Sequence, residues 1–180
     1  SKYAFAESKS GIGLTYTPWL KDLGLNDVYM TTLAGYYKLD DVQAISGSLR
    51  YFSLGNIQFT DNLGNDLNSF RPREFAIDGG YSRKLSDQLS LGVAIRYINS
   101  NLAGGAAVNG VSYKAGQSVA GDITLFYTTM NETGSGWNFG AAFTNLGTKI
   151  GYTDDPSQKD FIPANMGLGA VYTKTFQEVH

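Results

Sequence analysis

Apolar and polar residues alternate along this chain with a period of two. The alternation breaks into about eight runs separated by turn residues. The first, 10–16, sets Ile12, Leu14 and Tyr16 against Gly11, Gly13 and Thr15. Runs over 28–38 and 43–54 set Tyr29, Leu33 and Tyr37 against Thr32 and Ala34, then Ile45, Leu49 and Tyr51 against Ser46, Ser48 and Arg50. The fourth, 74–83, opposes Phe75, Ile77 and Tyr81 to Ala76, Asp78 and Gly80, and the fifth, 89–97, opposes Leu91, Val93, Ile95 and Tyr97 to Gly92, Ala94 and Arg96. Three more follow over 119–129, 137–145 and 165–173, carrying Ile123, Leu125 and Tyr127, then Trp137, Phe139 and Phe143, then Leu168 and Tyr172 on their apolar faces. The connections alternate too. Those near 39–42, 85–88, 130–136 and 174–178 are brief, whereas those near 17–27, 55–73, 99–117 and 146–164 are long and rich in Gly, Asn and Asp. A soluble sandwich has no reason to sort its loops by length to one end. An outer-membrane barrel, with short periplasmic turns and long extracellular loops, does. The pattern predicts an all-β, antiparallel transmembrane β-barrel occupying residues 1–180 as one domain.

The placement of charge sharpens that expectation. All nine lysines (positions 2, 9, 21, 38, 84, 114, 149, 159 and 174) fall in or beside turns and loops. Deep within the runs stand only Arg50, Asp78, Arg96 and Asp122, each on the face opposite the large apolar residues. A basic side chain facing lipid at mid-depth costs about 2–4 kcal/mol, while a polar lumen tolerates it. With the 86–88 turn centring its hairpin at Asp87, Asp78 falls directly across from Arg96, and the strand order predicts a ladder of Arg50, Asp78, Arg96 and Asp122. The alternative is four separately solvated side chains that share a parity. Tyr16, Tyr37, Tyr81, Tyr127, Trp137 and Tyr172 lie on the apolar face near strand ends, where aromatic girdles sit at membrane interfaces. An aromatic β core is the alternative for these.

Composition bears on the remaining classes of function. Only 17% of residues are charged, beside 22 glycines, 12 tyrosines and 10 phenylalanines, whereas soluble domains carry roughly 25% charge. A net charge of −2 and the lack of a basic patch interleaved with aromatics argue against nucleic acid. The absence of cysteine removes disulfides and thiolate metal sites. The lone histidine, His180, leaves triads and general-base dyads without their usual member, so an enzyme is not expected. Asp154, Asp155 and Asp160 could hold calcium but lack the spacing of an EF-hand loop, and a solvated loop is the favoured alternative. Gly11-Ile-Gly13 and Gly167-Leu-Gly169 miss the third glycine of a dinucleotide fingerprint and read as strand glycines on a crowded face. No cofactor is expected.

The stretch Asn145-Leu-Gly147-Thr-Lys-Ile150-Gly-Tyr152-Thr-Asp154-Asp155, with Asp160-Phe-Ile-Pro163 and Leu168-Gly169-Ala170 beyond it, resembles the PorV family. So do the opening Ala4-Phe-Ala-Glu7, Gly11-Ile-Gly13-Leu-Thr-Tyr16-Thr-Pro18-Trp19-Leu20, and Ser48-Leu-Arg50-Tyr-Phe52. These are outer-membrane barrels of the type IX secretion system of Bacteroidetes, related to the FadL-type long-chain fatty-acid transporters. The resemblance implies a bacterial outer-membrane location and a fourteen-stranded barrel with an N-terminal hatch. This chain supplies about eight strands and no obvious hatch, and Glu178-Val179-His180 lacks a terminal aromatic, so part of a larger barrel is expected, with a closed eight-stranded barrel as the alternative. The function implied is binding and shuttling of cargo that bears C-terminal signal domains, from a very large translocon barrel to a PorU-type sortase and its attachment complex, within outer-membrane lipid and lipopolysaccharide. Trp19, Phe70, Tyr113, Tyr152 and Phe161, in the long loops, are the candidate contacts, each with loop packing as its alternative. A FadL-like transporter of small hydrophobic molecules is the rival reading. A lipid A-modifying enzyme is disfavoured by the missing histidine.

Overall fold

The structure is a computed structural model that describes residues 1–60, 63–105, 107–108, 111–131 and 133–175. Eight long strands make one antiparallel sheet: β1 (Ser10–Pro18), β2 (Val28–Lys38), β3 (Gln43–Leu54), β4 (Arg73–Lys84), β5 (Leu89–Asn101), β6 (Gly116–Thr128), β7 (Gly136–Gly147) and β8 (Asn165–Thr173). Each pairs with its neighbour in sequence, and the order runs from β1 to β8 without a crossover. The expected boundaries hold to within three residues except that β5 runs four residues further, to Asn101. Among the described residues β1 and β8 do not pair with each other, so the eight strands curl into half a barrel rather than closing one. The lone His180 lies outside the described residues, as does the sequence Glu178-Val179-His180.

The sheet has a dry outside and a small-residue inside. Ile12 (82% exposed), Ile95 (64%) and Leu168 (74%) stand out from the convex face, with Leu33, Leu49, Ile77 and Ile123 beside them. Alternation puts their neighbours on the concave face, where the buried side chains include Ala44, Ala76, Ala120, Ser82, Ser90, Ser100 and Ser118. A soluble protein buries its leucines and isoleucines and covers such a patch. Here the order is inverted, which is the arrangement of a sheet whose solvent outside is hydrocarbon.

Two aromatic belts bound this apolar band. Tyr16, Tyr29 and Tyr51 follow one another across β1–β3 with ring centroids 5.3 and 6.2 Å apart, and Phe75 and Tyr97 continue the row at 6.1 Å. At the opposite end Tyr127, Phe139, Trp137 and Tyr172 form a second chain with separations of 6.3, 5.8 and 5.0 Å. Tyr29 and Tyr37 lie eight residues apart on β2. At about 3.3 Å per residue and a tilt of about 40°, the belts stand about 20 Å apart, close to the roughly 25 Å band of outer-membrane barrels.

The connections sort by length as the sequence predicts. The short ones (39–42, 85–88, 129–135) share one end. The long ones at the other end carry structure of their own: a 3₁₀ turn Lys21–Leu23, and two-stranded hairpins of Ile57–Thr60 with Asp66–Phe70, Ala107–Val108 with Val111–Ser112, and Lys149–Ile150 with Asp160–Phe161. Residues 1–8 run across the concave face at the short-turn end as a 3₁₀ turn, Lys2–Phe5, followed by a bent segment. Tyr3 stacks on Tyr36 at 4.6 Å, Phe5 meets Phe126 at 5.6 Å, and Ala4 is fully buried. Gly92 makes room for this segment: a Cβ there would come within 2.6 Å of Thr124 Oγ1 and 2.8 Å of the Ser1 nitrogen.

Candidate functional site

The concave face gathers three of its charges at one place. Asp78 and Arg96 are direct cross-strand partners on β4 and β5. The Arg96 guanidinium donates from Nε to Asp78 Oδ1, from Nη2 to Asp122 Oδ2 at 2.9 Å, and from Nη1 to Asn145 Oδ1 at 2.5 Å. The three charged side chains are only 10–15% exposed. Ser48 Oγ donates to the second Asp78 oxygen at 2.7 Å, and the Asn145 backbone N–H donates to Asp122 Oδ1 at 2.8 Å. Every charged end is therefore hydrogen-bonded, which is the condition under which buried ions hold a structure rather than weaken it.

A β-bulge builds the outer part of this cluster. The β6–β7 register shifts at Asp122, so that Thr144 and Asn145 together face one residue. Asn145 takes a left-handed conformation (φ 59°), which asparagine tolerates better than most side chains. That turn aims its amide at Arg96 and its backbone N–H at Asp122, while its Nδ2 reaches the Pro163 carbonyl at 3.3 Å. Nothing in the alternation of β7 marked Asn145 for this place. The signal available was an asparagine two residues before a glycine at a strand end.

Asp78, Arg96 and Asp122 are thus joined by ion pairs, whereas Arg50 lines the same lumenal space without pairing to them. Arg50 lies across from Thr32 on one side and Ala76 on the other, one pleat away from Asp78, and makes no ion pair among the described residues. With Glu74, Arg96 and Asn145 it lines a cavity of about 320 Å³ toward the long-loop end, where Trp19, Met30, Phe52 and Ile98 are the apolar walls. The reason is register: Arg50 and Asp78 share a parity but differ by two residues along the paired strands.

The loop aromatics occupy different situations. Trp19 packs on Phe52 at 5.5 Å in the cavity mouth. Phe70 is half-buried and lies against Gly104, and Tyr113 is half-buried. Tyr152 donates its hydroxyl to Ser100 Oγ at 2.9 Å, and its carbonyl accepts from the Lys114 N–H at 2.8 Å, so it joins two loops. Phe161 is 69% exposed, with Lys149 Nζ 5.1 Å from its ring centre.

The Asp154, Asp155 and Asp160 carboxylates do not converge on a cation position: no group of three such ligands gathers among the described residues. Asp155 caps the 3₁₀ turn Pro156–Gln158, and hydrogen bonds from the Ser157 hydroxyl and then from the Ser157 N–H hold its carboxyl below the usual range. Asp154 pairs with Lys114, whose hydrogen bond and charge lower its pKa from the ordinary 3.8, helped by Lys159. This links loop 102–115 to loop 148–164. Because the folded pKa is depressed, the link is complete at neutral pH and fails only as pH falls below the ordinary carboxylate value. Hydrogen exchange of the Lys114 amide, corrected for intrinsic rates, is expected to stay constant from about pH 7 to about pH 4 and to rise below that. A Lys114→Met variant is expected to show the raised exchange at every pH.

Lipid-facing walls, two aromatic belts, a satisfied ionic lumen and structured loops at one end are features of an outer-membrane barrel. The family model of the type IX secretion system protein PorV matches residues 1–180, the whole of the chain. Among curated proteins no relative matches. With the half-barrel and its polar lumen in agreement, the chain belongs to the PorV family of type IX secretion system proteins.

Proposed function

We propose that this chain is a non-enzymatic outer-membrane component of the secretion system that binds cargo bearing C-terminal signal domains and passes it from the translocon barrel to a PorU-type attachment complex. The family match over the whole chain carries this reading. The long loops support it, because a rigid sheet presents them together at one end and Phe161 is exposed there. In this reading the long-loop end faces the cell exterior, as in outer-membrane barrels generally. The open β1 and β8 edges call for further strands, since unpaired backbone is too costly in hydrocarbon. A fourteen-stranded barrel would supply them.

A second reading, a transporter of small hydrophobic molecules, draws on the cavity walled by Trp19, Met30, Phe52 and Ile98 above Arg50. Affinity purification of the full-length protein from native membranes separates the two. Recovery of a very large barrel together with signal-bearing cargo is expected. Recovery of neither, with fatty acid bound instead, would overturn the shuttle reading and favour transport.

A further inference from the structure

At the long-loop rim above β6 and β7, Lys114, Lys149 and Lys159 surround a second cavity of about 320 Å³, completed by Ala115, Gln117 and Gly151. The parity of Gln117 and Lys149 sets this cavity on the outward side of the sheet. Gln117 shares the parity of Val119, Ile123 and Leu125, the outward residues of β6. In the hairpin above, Lys149 pairs with Phe161, while Ile150 pairs with Asp160 and turns inward against Gly116. Lys149 and Phe161 therefore share the outer face, and Asp160 lies on the other.

Nearby carboxylates leave the cavity cationic. Asp154 is engaged by Lys114 and acts on Lys159 only at longer range, Asp155 caps its own turn, and Asp160 faces away. The charges of Lys149 and Lys159 have no ion-pair partner among the described residues. Directly below lies an uninterrupted apolar wall: Val119, Leu146, Ile95, Ile123 and Phe143, all 42–64% exposed.

A cationic notch at the membrane boundary with a hydrocarbon wall beneath it has the chemistry of an anionic amphiphile. We propose that this rim cavity binds the phosphate group of a phosphorylated glycolipid in the adjoining leaflet, with its acyl chains lying along the β5–β7 wall. Lys149 and Lys159 supply the charge, the Gln117 amide a hydrogen bond, and Phe161 covers the junction of headgroup and chains. The site uses the orientation given above but is independent of cargo transfer, and lipid binding by the isolated protein tests it separately.

The experiment is native mass spectrometry of the full-length protein in maltoside micelles, titrated with monophosphorylated lipid A, with its dephosphorylated form, or with inorganic phosphate. The phosphorylated lipid is expected to bind about tenfold more tightly than the dephosphorylated one, an advantage that shrinks as salt rises. A Lys149→Gln/Lys159→Gln variant is expected to lose that preference, while Lys21→Gln, in another loop, keeps it. Heat-modifiable migration on a gel shows that each variant is folded. Equal binding of the two lipids, or a preference that survives the double substitution, overturns the proposal. Competition by inorganic phosphate at the same concentration as the lipid would assign the site to a soluble anion and overturn it as well.

Discussion

Replacing Arg96 with methionine is expected to destabilise the barrel by about 3 kcal/mol, because it strands Asp78 and Asp122 as two unpaired, nearly buried carboxylates facing the same space. The measurement is the temperature at which the full-length protein loses its compact, heat-modifiable form in detergent. Adding Asp78→Asn and Asp122→Asn to Arg96→Met is expected to restore much of the loss, since the amides keep hydrogen-bonding capacity without the repulsion. Were the triple variant no more stable than Arg96→Met alone, the cluster would not be held by charge. A simple exchange of Asp78 and Arg96 is a poorer test than pairwise reasoning suggests. It restores one pair but places a carboxylate beside Asp122, so it is expected to recover only part of the stability.

The second large effect lies on the other face. Ile95→Lys is expected to cost about 2–4 kcal/mol, the penalty for an ammonium at mid-depth in hydrocarbon. Ile95 is 64% exposed, and on a water-facing sheet the same change would be close to neutral. The matching lumenal substitution is Thr32→Glu. Thr32 lies directly across from Arg50, so the new carboxylate gains a cross-strand cation worth roughly 0.2–1 kcal/mol. Thr32→Glu is therefore expected to leave stability unchanged or slightly raised. Equal, small effects of the two substitutions would mean that the convex face is not in contact with lipid.

The strands were legible in the sequence because period-two alternation is a local signal, repeated eight times with turn residues between. The sorting of loops by length and of lysines to the ends could also be read there, since a membrane imposes them on every strand alike. The Asp78–Arg96 pair was accessible for a similar reason: a tight turn at 85–88 fixes its hairpin register. Arg50 was harder, because its register against Asp78 depends on a connection from Leu54 to Arg73 whose length sets no register. Its place beside the cavity emerges only once β3 and β4 are paired.

Asn145 and residues 1–8 were not legible as parts of the lumen. A bulge changes the count on one strand without changing its composition, and the opening segment contacts β2, β4, β5 and β6 only because the sheet curls around it. The rim cavity is a similar case: Lys114 stands 35 residues before Lys149, in a different loop.

By itself the sequence determined which residues face lipid, which face the lumen and which end carries the long loops, because each is a matter of parity or spacing along one strand. Only the tertiary structure decided that Arg96 joins two aspartates and an asparagine, that Arg50 lines the lumen without an ion pair among the described residues, and that three lysines from two loops meet at the rim. Those outcomes depend on register and curvature, which arise when several strands pair and cannot be summed from any one of them.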